Sequence, residues 1–294
     1  RINGLEVEIN ESTGKALSIS RVNLSYDEVY KMNRGLKKIL ISNDDGIQAE
    51  GIQTLTKKLR EYGHDVYVVA PSEDSSGMSH GITLKMPLRY KEFELDGAFF
   101  GYMINGKPAD CVKMARWEIY KDIEFDLMIS GINRGANLGA DLFYSGTFGA
   151  AAEATLLNIK SISISLCEPF GELENYDFVA NFITKFLQSI DNIEFPKNHL
   201  LNINVPNIES EEIKGYKITS QGDRKYVENF DKRCDPHGGE YYWITGDAIE
   251  TFENYEDDWY VIKENYISIT PVELNLSAQK FGSYLKKELD HEMD

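Results

Sequence analysis

Apolar and polar positions fall into two alternating periods from residue 37 onward. Lys38-Ile39-Leu40-Ile41-Ser42 is apolar on both faces, as a strand inside a parallel sheet must be. Gln48 to Tyr62 follows with Ile52, Leu55 and Leu59 at helical spacing, and Gly63 is a good helix stop. Asp65 to Ala70 is a second buried strand ended by Pro71, then a polar loop runs from Ser72 to Gly81. Ile82 to Ile104 reads as a β excursion with a turn at Gly97, and Pro108 opens a helix to about Tyr120. Phe125 to Ser130 is a third core strand, followed by a glycine-rich loop over 131–146 and an alanine-rich helix over 147–158. A strand at Ser161–Leu166, a helix near 175–190 and a strand at Leu200–Val205 complete the series. This repeated order predicts an α/β fold whose parallel sheet is covered on both faces.

The ends read differently. In residues 1–36, Leu5–Ile9 alternates, Thr13-Gly14-Lys15 reads as a turn, and Ala16–Ser20 alternates again, which predicts a β-hairpin extension. The α/β core is expected over 37–206, and a β-rich extension with a last helix over 207–294. Its short segments at 216–220, 240–245 and 266–270 are rich in Tyr and Trp, and a final helix is expected over 277–289. Such hairpins are too short for a core of their own and are expected to pack on the main unit or a second subunit. The acidic stretch at Glu256-Asp257-Asp258 reads as solvated surface.

Composition narrows the function. The chain has 294 residues, 42% of them hydrophobic, and a formal net charge of −17. That charge argues against a nucleic-acid polymer as partner, since phosphate backbones require a basic face. It leaves room for a small anion held by local positive potential. Cys111, Cys167 and Cys234 are far apart and read as reduced thiols of a cytoplasmic protein. No signal peptide is recognised, no apolar run is long enough to span a membrane, and the five histidines form no H-x-x-x-H pair for zinc.

The chemistry gathers at three strand ends, which a parallel sheet brings to one edge. The first gives Asn43, Asp44 and Asp45; the second gives Ser72 to His80; the third gives Gly131 to Asp141 and then Tyr144-Ser145-Gly146-Thr147. Adjacent carboxylates repel and need a positive partner. An oxygen-rich set of carboxylate, hydroxyl and amide suits Mg²⁺ or Mn²⁺ rather than zinc or copper. A solvated Asp-Asp-Gly turn is the plain alternative for the pair taken alone. The loop G-I-N-R-G-A-N-L-G matches neither the dinucleotide fingerprint nor a P-loop. The helix that follows Ser145-Gly146-Thr147 would turn free N–H groups towards a phosphate, and Ser145 or Thr147 can equally be a plain N-cap. His80 is read as a hydrogen-bonded structural residue ahead of a proton donor, and Cys111 as a small core residue.

The stretches ILISNDDGIQAEGIQTLTKKL, VVAPSEDSSGMSHGITL, NGKPADCVKMA, DLMISGINRGANLGADLFYSGTFGAAAEA, LLNINVP and YISITP occur in this order between residue 37 and roughly residue 275. Together they resemble the stationary-phase survival protein family, SurE. The resemblance implies a Rossmann-like three-layer α/β/α sandwich and a metal-dependent phosphomonoesterase acting on nucleoside 5′-monophosphates, with 3′-nucleotides and short polyphosphate as further candidate substrates. It implies one divalent metal ion per subunit held by Asp44, Asp45, Ser76 and Asn133, with Asp44 and Asp45 as the catalytic pair. Phosphate contacts are implied at Asn43, Asn137, Ser145, Gly146 and Thr147. The late β segments and last helix would be exchanged between subunits of a homodimer or homotetramer. The competing reading is a Mg²⁺-binding receiver-like signalling module, which also opens on a strand ending in paired acids. It requires an acceptor Asp at a later strand end, where this chain has Ser130-Gly131-Ile132-Asn133.

Overall fold

Strand β1 (Ile2–Ile9) pairs antiparallel with β2 (Ala16–Leu24) in the computed structural model, which describes residues 2–9, 15–24, 37–167, 175–249 and 254–292. The expected hairpin is therefore present with longer arms, and its turn at Thr13-Gly14 lies outside the described residues.

The core begins with β3 (Lys38–Ser42), α1 (Glu50–Glu61) and β4 (Asp65–Pro71). A hairpin of β5 (Tyr90–Leu95) and β6 (Ala98–Ile104) precedes α2 (Pro108–Met114), which runs on into a π turn, Ala115–Ile119. Then come β7 (Leu127–Arg134), α3 (Gly146–Leu156), β8 (Ser161–Cys167), α4 (Tyr176–Ser189) and β9 (His199–Pro206). The remainder holds β10 (Tyr216–Ile218), β11 (Lys225–Cys234), β12 (Glu240–Ile249), α5 (Asp258–Lys263), β13 (Ile267–Glu273) and α6 (Gln279–Glu292).

One nine-stranded sheet runs β10-β13-β9-β8-β7-β3-β4-β6-β5. The stretch from β9 to β6 is parallel throughout, while β13 on β9 and β5 on β6 are antiparallel. Residue alternation builds a layer on each face. Ile39 and Ile41 pack with Ile52, Leu55 and Leu59 of α1 and Val179 and Ile183 of α4. Leu40 packs with Cys111 and Val112 of α2 and Ala150, Ala151 and Ala154 of α3. This is the expected Rossmann-like three-layer arrangement. Among the described residues no helix is long and apolar enough to cross a membrane.

The chain leaves β3 towards β4 on one side and later returns to β7 on the other. The crevice at such a reversal, outside the carboxyl ends of the strands, is where open α/β sheets bind ligands. Strand β7 is longer than its apolar run suggests. After a register shift, Asn133 and Arg134 pair with Ser165 and Leu166, so part of the expected loop is ladder. Two elements were not expected at all, β11 and α5. Strand β11 pairs with β12 in a local hairpin, and α5 packs on β13 and β9.

Helix α1 sits unusually close to β7. A Cβ on Gly51 would lie 2.1 Å from the Ile132 carbonyl oxygen. Alanine normally gains up to about 1 kcal/mol over glycine inside a helix. Here the backbone clash wins, and Gly51→Ala is expected to destabilise by about 1–3 kcal/mol. A urea unfolding midpoint equal to or above wild type would contradict this close packing.

Candidate active site

Asn43, Asp44 and Asp45 leave β3 directly into the reversal crevice. Asp44 is 3% exposed. Its carboxylate accepts hydrogen bonds from both the hydroxyl and the backbone N–H of Thr147, at the start of α3. Thr147 Oγ1 also lies 3.2 Å from Asn133 Oδ1. A Cβ on Gly146 would sit 2.8 Å from Asp44 Cβ, so the absent side chain lets the helix start close on the acid. Asp45 accepts a bond from the Arg134 backbone N–H at 3.2 Å. Three strand and helix ends thus meet around the two acids.

Electrostatically the pair lacks positive charge. Burial lifts the Asp44 carboxyl above its ordinary range; the bonds from Thr147 pull it back, and the charge of Asp74 adds to the lift. Burial and then the Asp44 charge push Asp45 up to about 7, and the Arg134 guanidinium opposes this only weakly. Asn43 donates through Nδ2 to the Gly46 carbonyl at 2.9 Å, while its buried Oδ1 has no hydrogen-bond partner among the described residues. An orphaned buried acceptor beside two carboxyls whose pKa values burial raises fits a cation or an incoming donor. No group of three or more His, Cys, Asp or Glu side chains suited to a metal is found among the described residues. A cation here would rest on two carboxylates completed by neutral oxygens, which is magnesium-like chemistry.

The second loop reaches the pair from β4. Ser75 N–H donates to the Asp44 carbonyl at 2.7 Å, and Asp74 Oδ1 accepts from Ser76 N–H at 2.7 Å and Ser76 Oγ at 2.6 Å. Ser76 itself is exposed and bonded to Asp74. Asp74 is a neighbour that sequence reasoning passed over; its position two residues before Ser76 was the available signal.

The helix start is capped, as one reading of the sequence has it. Ser145 is the N-cap, its Oγ accepting from Phe148 N–H at 3.0 Å. Thr147 engages an anion, and in this structure that anion is the Asp44 carboxylate. Asn137 is less available. Its Nδ2 donates to Ser165 Oγ at 2.8 Å, its N–H to Asn204 Oδ1 at 2.9 Å, and its carbonyl accepts from Asn202 and Asn204, both at 2.9 Å. Asn137 therefore pins the glycine-rich loop to a buried polar patch on β8 and β9. The alternating Ser163, Ser165, Asn202 and Asn204 carried that signal in sequence, at the period of a strand.

The same loop is gripped from the C-terminal side. Asp258 is 0% exposed, which corrects its reading as solvated surface. Its carboxylate accepts from Gly139 N–H (2.9 Å), Gly222 N–H (3.0 Å) and Trp259 N–H (2.8 Å), and these bonds make the buried position tenable. Arg224 Nη1 and Tyr226 OH hold Asp141 at 2.5 and 2.7 Å.

The comparisons with known proteins bear on the family and the fold. The family model described as survival protein SurE matches residues 39–228. A relative from Petrotoga mobilis named 5′-nucleotidase SurE is 44% identical over 252 residues, covering 86% of this chain and 99% of that protein. Another of the same name from Trichormus variabilis is 45% identical over 251 residues, covering 82% and 94%. A solved structure of SurE protein from Aquifex aeolicus superposes with a TM-score of 0.73 at 34% identity, covering 87% of this chain and all (100%) of that one. The receiver-like alternative finds no support in these matches or in β7, where Asn133 stands in place of an acceptor acid. On this sequence likeness and on the shared fold, the chain belongs to the survival protein SurE family.

Proposed function

We propose that the protein hydrolyses nucleoside 5′-monophosphates to nucleoside and phosphate, with one divalent cation per subunit, Mg²⁺ or Mn²⁺, at Asp44 and Asp45. The observation that carries this reading is the charge-poor acid pair at the sheet reversal, beside the start of α3. The name printed for the relatives, 5′-nucleotidase SurE, supports the substrate class. Ser76 and Asn133 are the proposed neutral ligands. Asn43, Asn137, Ser145, Gly146 and Thr147 are the proposed phosphate surroundings. Exposed Phe143 and Tyr144 lie just before Ser145 and offer aromatic faces to a base.

When bound, the cation supplies Lewis-acid polarisation of the phosphoryl group and a lowered pKa for water. The protein's own groups do the rest. Asp44 and Asp45 fix where positive charge sits. Thr147 and the α3 start supply donors and a positive dipole for charge on the phosphoryl oxygens. A phosphate would compete with Asp44 for those donors.

The C-terminal arm is the proposed homo-oligomer contact. Strands β11 and β12 pair with each other and expose Phe230, Tyr242, Trp243 and Ile244, while α6 exposes Phe281 and Tyr284. Monomers rarely leave large apolar patches uncovered. Removing residues 276–294 is expected to lower the solution mass measured by light scattering. An unchanged mass would reject α6 as a subunit contact.

Phosphate release from a panel of nucleoside 5′-monophosphates, with Mn²⁺, Mg²⁺ or chelator, tests the activity. Turnover should need the metal, and Asp44→Asn and Asp45→Asn should each lower kcat/KM by about 100-fold or more while remaining folded. Near-normal rates in both variants would overturn the assignment.

Stability gives an independent check. Asp45 keeps its proton up to about pH 7 when folded, against 3.8 for the ordinary carboxyl. Its folded pKa is raised, so its contribution is fully present below 3.8 and is lost as pH rises through about 7. In chelator, Asp45→Asn should therefore be more stable than wild type at pH 8, by about 2 kcal/mol, with the difference fading towards pH 4. Equal melting temperatures at pH 8 would contradict a charge-poor pair.

A further inference from the structure

Glu153 is a carboxylate with no part in the chemistry above. It sits on α3 at 4% exposure, in a helix otherwise buried through Gly, Ala and Thr. A leucine or alanine would pack there without the cost of a buried charge. Two side-chain donors satisfy it instead of solvent. Lys113 of α2 donates to Oε1 at 2.5 Å, and His80 Nε2 donates to Oε2 at 2.8 Å. Burial alone would raise the Glu153 pKa; the bonds from His80 and Lys113 hold it below its ordinary value, so it accepts as a carboxylate.

His80 belongs to the loop after β4, the one that carries Ser76. That loop lies directly on α3. Ser79 N–H donates to the Tyr144 carbonyl at 3.0 Å and Ser79 Oγ to the Phe143 carbonyl at 2.6 Å. A Cβ on Gly149 would come within 2.6 Å of the Ser79 carbonyl oxygen and 2.9 Å of His80 Cα. At the loop's other end, Ser75 N–H donates to the Asp44 carbonyl at 2.7 Å. Ser76 is thus suspended between an anchor on the acid pair and an anchor on α3.

We infer that Glu153, acting through His80, is a positioning residue that latches the Ser72–Gly81 loop onto α3 and thereby sets the affinity of the site for its divalent cation. This deepens the proposed metal-dependent reading and rests on it for the role of Ser76. Glu153 is hydrogen-bonded to His80 and Lys113 and not to Asp44 or Asp45, so its influence on the cation travels through the loop. The glycine at 149 and the acid at 153 are one helical turn apart and lie under the same loop segment. That spacing makes them two independent handles on one contact.

The test uses the full-length protein and two readouts. Amide hydrogen exchange over residues 72–80 in chelator reports the latch without any metal. Mn²⁺ titration followed by the paramagnetic resonance signal of the free ion reports the site without turnover. His80→Ala removes the exposed partner and spares the buried one, so folding is preserved. It should speed exchange in the loop and weaken Mn²⁺ binding about tenfold, the low end for partners that support metal ligands from outside. Saturating Mn²⁺ should restore kcat, and His80→Gln, which keeps an N–H donor, should recover most of the affinity. Gly149→Ala should reproduce both effects by lifting the loop. Unchanged exchange in His80→Ala would overturn the latch, and faster exchange with unchanged Mn²⁺ affinity would overturn its role at the site. Wild-type protein that binds no Mn²⁺ would instead bring down the metal reading and the coupling with it, while the exchange data still judge the latch.

Discussion

Two neighbouring carboxylates on a buried strand end repel each other and lose their hydration, and the crevice at the sheet reversal is organised around that cost. Asp44 is buried and Asp45 is pushed up to about 7. Part of the cost is met from the protein. Thr147 gives Asp44 two hydrogen bonds at a helix start whose dipole favours negative charge, and the Arg134 backbone gives Asp45 one. The remainder is what the proposed cation would offset. A fold that only needed stability would replace the pair by apolar residues, because buried charge is seldom the stable choice.

The rest of the molecule serves to hold four chain segments against those acids. Strand β7 brings Asn133 through a ladder that persists beyond its apolar stretch, supported by the close approach of α1 at Gly51. The glycine-rich loop after it is fixed from below by Asn137, Asn202 and Asn204, and from the C-terminal side by Asp258 and Arg224. Helix α3 is buried almost all round by small residues, which lets its first turn reach Asp44 and its second carry the loop from β4. The two loops among them lack the ladder bonds of strands. Each is here tied to a buried polar group, Asn204 or Glu153.

Local pattern carried the core well. The double-sided apolar runs at Ile39–Ile41 and Val68–Ala70 and the stripe at Ile52, Leu55 and Leu59 are short-range signals, and they correspond to β3, β4 and α1. That the three polar segments would meet was also legible, because strand ends in a parallel sheet share one edge. What stayed hidden depends on partners distant in sequence. Asp258 looks like one of several surface acids until Gly139, some 119 residues away, is seen to donate to it. Glu153 looks like a helix-surface residue until Lys113 and His80 fold over it. Ser163 and Ser165 alternate with isoleucine as if facing water, and instead meet Asn202 and Asn137 inside the sheet. The ligand roles of Ser76, Asn133 and Asn137 came from family likeness; in the structure Asn137 is chiefly a support for its own loop.

The central claim is that the Asp44–Asp45 pair is a divalent cation site. Crystals of the full chain soaked in Mn²⁺ and measured at the manganese absorption edge would test it most directly. The account predicts one anomalous peak per subunit at about 2.0–2.2 Å from carboxylate oxygens of Asp44 and Asp45, and its loss in Asp45→Asn. A subunit that hydrolyses nucleotides with no peak at this pair, or with the peak on other residues, would contradict it.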